Sequence, residues 1–270
     1  MRRSLFASTL FAVALSVVAL STIGLASAHA EMQARPVEWK VGKDTFSGYL
    51  VYDDTNAIKR PGVVMVPDWK GVTDAALDKA KHIAGDDYVV LLADVYGKDV
   101  RPKNDDEAQA TVKALYADRN VLRARANKAI EVLKTAKDVP LDPTKIGAIG
   151  YCFGGATALE MARSGADLAA VVTFHGGLNT TMPAKPGTVK ASVLVLNGAD
   201  DQGTKGDIPA FEEEMNAAKV DWQFVNFSGA VHCFAIPTAN KPPGCVYNEL
   251  ATRRSERMMR VFFAERFATP

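Results

Sequence analysis

Apolar residues along this chain fall into short continuous runs, separated by segments with helical spacing. Gly62 to Val66, Tyr88 to Ala93, Lys145 to Tyr151, Ala169 to Phe174 and Ala191 to Leu196 are nearly uninterrupted apolar stretches rich in Val, Ile and Leu. Such runs, bounded by turn-forming residues, read as strands buried on both faces. Thr45 to Tyr52 alternates in part and reads as an early edge strand, and Trp222 to Phe227 reads as a further strand. Thr73 to Ala84 sets Ala76, Leu77, Ala80 and Ile83 on one helical face, with Thr73 placed to cap the N-terminus. Helical spacing also covers about Asp106 to Lys137, broken near Asp118, then Gly155 to Ala162, Ile208 to Ala218 and Glu249 to Phe267. Strands and helices alternate almost throughout. The pattern predicts an α/β domain with a mostly parallel central sheet and helices on both faces.

The first 30 residues stand apart. Arg2 and Arg3 precede an uncharged apolar stretch from Leu5 to Leu25, and Ala28-His29-Ala30 follows. A basic start, an apolar core and a small-x-small site read as a secretory signal peptide over residues 1–30, cut before Glu31. The competing reading is an uncleaved anchor, since about 20 apolar residues can span a bilayer. The cleavage site favours removal and an exported, periplasmic protein with no membrane association afterwards. Sec and twin-arginine export both stay open. Residues 31–270 then suffice for one large domain. A formal net charge of +1 argues against a nucleic-acid partner, which needs a basic stripe.

Candidate chemistry centres on Gly150-Tyr151-Cys152-Phe153-Gly154. It sits between a predicted strand and a predicted helix. Glycines on either side of a Cys allow the sharp strand-turn-helix that exposes a nucleophile. A helix N-terminus under the sulfur favours its thiolate form. A nucleophile needs a base, and the base needs an orienting acid. Both occur downstream, each just past a strand: Asp200 and Asp201 after Leu196, and His232 after Phe227. The order nucleophile, acid, histidine is the one found in hydrolases built on such a turn. His82 and His175 lie apart from any second His or Cys cluster, so no metal is expected. Three cysteines in an exported chain leave one thiol over. With Cys152 kept free, Cys233 and Cys245 are the candidate disulfide; two unpaired thiols are the alternative.

Four stretches, in order, resemble the dienelactone hydrolase family, a cysteine branch of the α/β-hydrolase fold. They are Val63 to Gly71, Ala93-Asp94-Val95-Tyr96-Gly97, Gly150 to Gly155, and Gly229-Ala230-Val231-His232-Cys233-Phe234. The resemblance implies Cys152 as nucleophile, His232 as base and Asp201 as acid, with Asp200 as the alternative. It implies an oxyanion hole from the backbone N–H groups of Trp69 and Phe153. Two departures bear on substrate. Asp68 stands where the family often has Glu. No Arg follows the His-x-Phe stretch, where Ala235-Ile236-Pro237 occurs instead, so Arg101 and Arg119 become the candidate substrate contacts together with Asp68.

The reading is a carboxylic ester hydrolase, similar to a carboxymethylenebutenolidase, acting on a small ester or lactone through a thioester and without a cofactor. A carboxylesterase or thioesterase with another acyl pocket uses the same residues. A non-catalytic binding protein on the same fold is a separate class. A thiol redox protein is disfavoured by the lack of a Cys-x-x-Cys pair.

Overall fold

The computed structural model describes residues 32–268; the leader and cleavage site expected over residues 1–30 lie outside the described residues. Strands β1 (Met32–Val41) and β2 (Asp44–Asp53) form an antiparallel hairpin in register over their whole length. Then come β3 (Arg60–Val66), α1 (Asp74–Ala84), β4 (Val89–Leu92), α2 (Asp105–Ala117) and α3 (Arg119–Lys134). Next are β5 (Leu141–Tyr151), α4 (Phe153–Arg163), β6 (Ala170–Phe174), β7 (Ser192–Gly198), α5 (Ile208–Ala217) and β8 (Trp222–Phe227). A short hairpin, β9 (Asn240–Lys241) with β10 (Cys245–Val246), precedes α6 (Glu249–Ala268).

Among the described residues the main sheet runs β1-β2-β4-β3-β5-β6-β7-β8. From β4 to β8 every neighbouring pair is parallel. The β2–β4 pair is antiparallel. This is the mostly parallel sheet that the apolar runs predict, in the α/β-hydrolase fold that the family resemblance implies. Parallel strands must be covered on both faces, and two apolar layers do this. Leu122, Leu133, Leu159, Phe211 and Met215, from α3, α4 and α5, pack on one face. Ala80, Ile83, Met259, Phe262 and Phe263, from α1 and α6, pack on the other.

Helix boundaries follow from caps. The Thr73 hydroxyl accepts from the Ala76 N–H, and the Asn104 side chain accepts from that of Glu107. Asp118 ends α2 and accepts from Asn120 and Val121, so one residue both breaks and restarts the helical stretch. β1 was not anticipated from the apolar pattern, and it takes the edge place expected for Thr45 to Tyr52, which as β2 lies between β1 and β4. It carries Pro36 and several charges, and Trp39 is its buried residue. An edge strand tolerates that composition because one side of it pairs with nothing.

Charged residues inside α4 form a network that its polar sequence positions do not advertise. Glu160 and Arg163 are buried. Arg163 contacts Glu160 at 3.2 Å and Glu214 at 2.8 Å, and Arg123 reaches Glu160 at 2.7 Å. Arg123 and Arg163 also donate to the carbonyls of Met182 and Leu178. Helices α3, α4 and α5 are thereby joined to the segment that follows β6. Because β3 and β5 to β8 are parallel, their carboxyl ends open on one side of the sheet. Ligand sites in open α/β sheets lie along that edge, and Cys152, Asp201 and His232 follow the ends of β5, β7 and β8 there.

Candidate active site

Cys152 follows β5 and precedes α4. Its backbone is left-handed, φ 55° and ψ −115°, a conformation disfavoured for a residue with a side chain. The Cys152 N–H donates to the Phe174 carbonyl at 3.0 Å, and the Ala156 N–H donates to the Cys152 carbonyl at 3.1 Å. The turn closes only because Gly150 and Gly154, two residues away on either side, have no side chains. A Cβ on Gly154 would lie 2.1 Å from the Val66 oxygen and 2.3 Å from the Pro67 oxygen. The first turn of α4 therefore packs backbone against backbone on the loop after β3. Helix α4 begins at Phe153, two residues earlier than the spacing predicts, because close packing here overrides the low helical preference of glycine.

The imidazole of His232 lies between this thiol and a carboxylate. Nδ1 is 2.8 Å from Asp201 Oδ2, and Nε2 is 3.1 Å from Cys152 Sγ. Asp201 is buried, and its other oxygen accepts from the Gly203 N–H at 2.9 Å. Asp200 points to solvent and meets the site only through its backbone, whose N–H donates to the Ala230 carbonyl. Burial works against charge on His232, but the hydrogen bonds to Asp201 and Cys152, and their charges, outweigh it and raise its pKa to about 10.

The loop carrying His232 is cross-linked. Cys233 and Cys245 form a disulfide, with Cα atoms 5.0 Å apart, and Cys152 is a free thiol. Cys245 also bridges to His232 through the backbone, where the Val246 N–H donates to the His232 carbonyl at 3.1 Å. Cys233 has φ 63°.

On the other side of Cys152 stands the loop Pro67 to Gly71. Asp68 Oδ1 accepts from the Lys70 N–H at 2.8 Å, and the Tyr96 hydroxyl donates to the Trp69 carbonyl at 2.8 Å. Burial raises the Asp68 carboxyl above its ordinary value, against the Lys70 hydrogen bond and charge. Phe153 is the first residue of α4, so its N–H is one of the donors that a helix leaves unpaired. Its ring packs on Tyr96 at 5.5 Å and on Tyr116 at 5.7 Å. Burial raises both phenols, with Asp68 and Cys152 adding to the effect on Tyr96 and Cys152 to that on Tyr116.

The two candidate arginines part company. Arg101 donates to Asp94, to the carbonyls of Gly97 and Val100 and to that of Ser47, so its guanidinium holds the turn after β4 rather than facing the thiol. Arg119 is buried over the Tyr116 ring, 4.0 Å from the ring centre, and its Nε and Nη1 have no hydrogen-bond partner. Among the described residues no three His, Cys, Asp or Glu side chains gather to hold a metal ion.

The chain is similar to several known proteins. An uncharacterized protein of Caenorhabditis elegans is 36% identical over 161 residues, 57% of this chain and 100% of its own length. A protein of Bradyrhizobium named as a probable 2-oxo-3-(5-oxofuran-2-ylidene)propanoate lactonase is 27% identical over 186 residues, 64% of this chain and 73% of that one. Two solved structures each cover 87% of this chain and 99% of their own. One, named m3DLH, is 37% identical with a TM-score of 0.81. The other, a dienelactone hydrolase-like promiscuous phosphotriesterase from metagenomic libraries, is 38% identical with a TM-score of 0.80. The model of the dienelactone hydrolase family matches residues 46–267, from β2 to the end of α6, and the chain belongs to that family of hydrolases.

Proposed function

We propose that the protein is a cysteine-dependent hydrolase of small carboxylic esters or lactones. The observation that carries this reading is the line of contacts from Asp201 through His232 to Cys152, at 2.8 and 3.1 Å. In this scheme the proton of the thiol rests on His232 and the thiolate attacks the substrate carbonyl. The N–H groups of Trp69 and Phe153 receive the oxyanion; such a donor contributes about 3 kcal/mol to the transition state. His232 gives its proton to the departing alkoxide or enolate, leaving a thioester. It then takes a proton from water as the water attacks, and the acid leaves with Cys152 restored.

The aromatic wall of Trp69, Tyr96, Tyr116 and Phe153 is assigned to the acyl side. Arg119 ends that wall with two unpaired donors. Beyond its stacking on Tyr116, two buried guanidinium donors without hydrogen bonds are costly, so a substrate bearing a negative charge is favoured. Export belongs to the same proposal, since the Cys233–Cys245 bridge fits an oxidising compartment.

Hydrolysis of p-nitrophenyl acetate by Cys152→Ala should fall by roughly three or more orders of magnitude with the fold unchanged. Near-normal turnover would overturn the reading. A phosphotriester in the same assay tests whether the activity named for the 38% identical neighbour extends to this chain.

A further inference from the structure

Behind His232 lies a second histidine that the scheme does not use. His175 follows β6 and is fully buried. Neither its Nδ1 nor its Nε2 has a hydrogen-bond partner. Its backbone is left-handed, φ 41°. The origin of that conformation is visible in the contacts on either side. The Phe174 carbonyl accepts from Cys152, and the His175 N–H donates to the Leu196 carbonyl at 2.8 Å. The chain therefore turns at His175 while tied both to the nucleophile turn and to β7, which leads to Asp201. A residue that is left-handed, buried and unpartnered breaks three local preferences at once, and such outliers concentrate at functional sites.

Its ring wedges between aromatic neighbours. The His175 and His232 ring centres are 5.2 Å apart at 67°, those of His175 and Phe234 are 5.1 Å apart at 79°, and Tyr151 lies at 6.2 Å. Building on the assignment of His232 as base, we propose that His175 is a positioning residue. Its flat ring fills the space behind His232 and fixes the plane in which that imidazole spans Asp201 and Cys152. Since neither nitrogen is hydrogen-bonded, what His232 meets is the shape of the ring. Burial, and then the charges of His232 and of Lys79 on α1, hold His175 well below the usual histidine range. It is therefore neutral and adds no second cation behind the base.

The test is a pair of variants read in two ways: turnover of p-nitrophenyl acetate, and the rate at which iodoacetamide alkylates Cys152 across pH. His175→Phe keeps a flat ring and should retain kcat within about 3-fold, with the wild-type alkylation profile. His175→Leu should lower kcat by roughly 10- to 100-fold with little change in KM, the size of effect that a small misplacement of a catalytic group produces. Its alkylation profile should move to higher pH, because a loosened His232 pairs less well with the sulfur. A folded Leu variant with wild-type kcat and profile would overturn the proposal. So would a folded Phe variant as impaired as the Leu variant, and if the Leu variant does not fold, loss of kcat in the Phe variant decides against it. Alkylation needs no substrate, so this arm still judges His175 if Cys152→Ala defeats the hydrolase reading.

Discussion

Cys152 and His232 meet at 3.1 Å, yet their backbones are held in opposite ways. Cys152, the proposed nucleophile, is fixed by exclusion: a left-handed turn, glycines packed against carbonyl oxygens, and a helix buried along its whole length. His232, the proposed base, is fixed by attachment. Its loop leaves an edge strand and is half-buried, and a disulfide with a backbone bridge retains it. An arm formed by close packing has no slack, so damage to it is expected to be severe and to include the fold. An arm formed by a tether can loosen by degrees, so damage to it should reach turnover before it reaches the fold.

The largest effect is expected where the base arm is altered chemically. Asp201→Asn keeps the shape but removes the charge facing Nδ1. Turnover should fall by about 10³- to 10⁴-fold, as when a triad acid is neutralised. Asp200→Asn should stay within about 2-fold, since that side chain faces solvent. A larger loss at Asp200 would reassign the acid. The same variant sharpens the pH dependence of stability. A histidine raised to about 10 contributes stability fully below its ordinary value of 6.5, and the contribution is lost as pH rises through about 10. In Asp201→Asn that decline between pH 6.5 and 10 should shrink, which thermal unfolding across the window would read.

Next comes the packed arm. In Gly154→Ala the new methyl would meet the Val66 and Pro67 oxygens at 2.1 and 2.3 Å. Both are backbone atoms and cannot swing aside. Overpacking of this kind costs about 3 kcal/mol or more, equivalent to a fall in Tm of at least roughly 6 °C. A shift of Cys152 by about 1 Å would cost a further 100-fold in turnover. A stable variant with reduced turnover only would show that the nucleophile arm has slack, and the contrast would fail.

How far the sequence revealed these arms depends on the range of the interaction. The parallel strands were legible because burial on both faces writes itself as an apolar run. The Cys152 turn was legible from the glycines two residues away on either side, and His232 from its place after β8; the place after β7 left Asp200 and Asp201 open, and only the family resemblance favoured Asp201. What escaped depends on contacts between distant residues. Glu160 and Arg163 read as a polar helix face, but the whole of α4 is buried and their partners come from α3 and α5. Arg101 and Arg119 looked alike as loop and helix arginines. Only the fold shows that one is consumed by the Asp94 turn and that the other is stacked on Tyr116 with two donors lacking hydrogen bonds. His175 gave no signal beyond its place at a strand end, because its contacts with His232 and Phe234 span residues more than fifty apart.

A smaller effect is expected from releasing the tether. The bridge spans 12 residues, and a loop of that size contributes about 3 kcal/mol in the chain-entropy model. Cys233→Ser with Cys245→Ser should lower kcat by roughly 10-fold and Tm by roughly 6–12 °C, leaving a folded enzyme. Dithiothreitol should likewise lower the turnover of the wild-type protein, the reverse of its usual effect on an oxidation-prone thiol enzyme. Unchanged kcat with a lowered Tm would confine the disulfide to stability and remove it from the base arm.

The smallest effect is expected where the two arms touch each other. Asp105, at the start of α2, accepts from Lys70 on the loop beside Cys152 and, at 2.5 Å, from Lys241 on the cross-linked loop. Hydrogen bonds to Lys241 and then Lys70 lower its carboxyl to about 2. The cluster is exposed, with 45% of the Asp105 side chain and 71% of that of Lys241 open to solvent. Exposed ion pairs contribute little and are screened by salt. Asp105→Asn should therefore change kcat by less than about 2-fold at low salt and not at all near 1 M salt, where the Debye length is about 3 Å. Because Asp105 joins the two arms directly, a large and salt-resistant loss would mean that the nucleophile loop and the base loop move as one body, and that packing and tether act on a single unit.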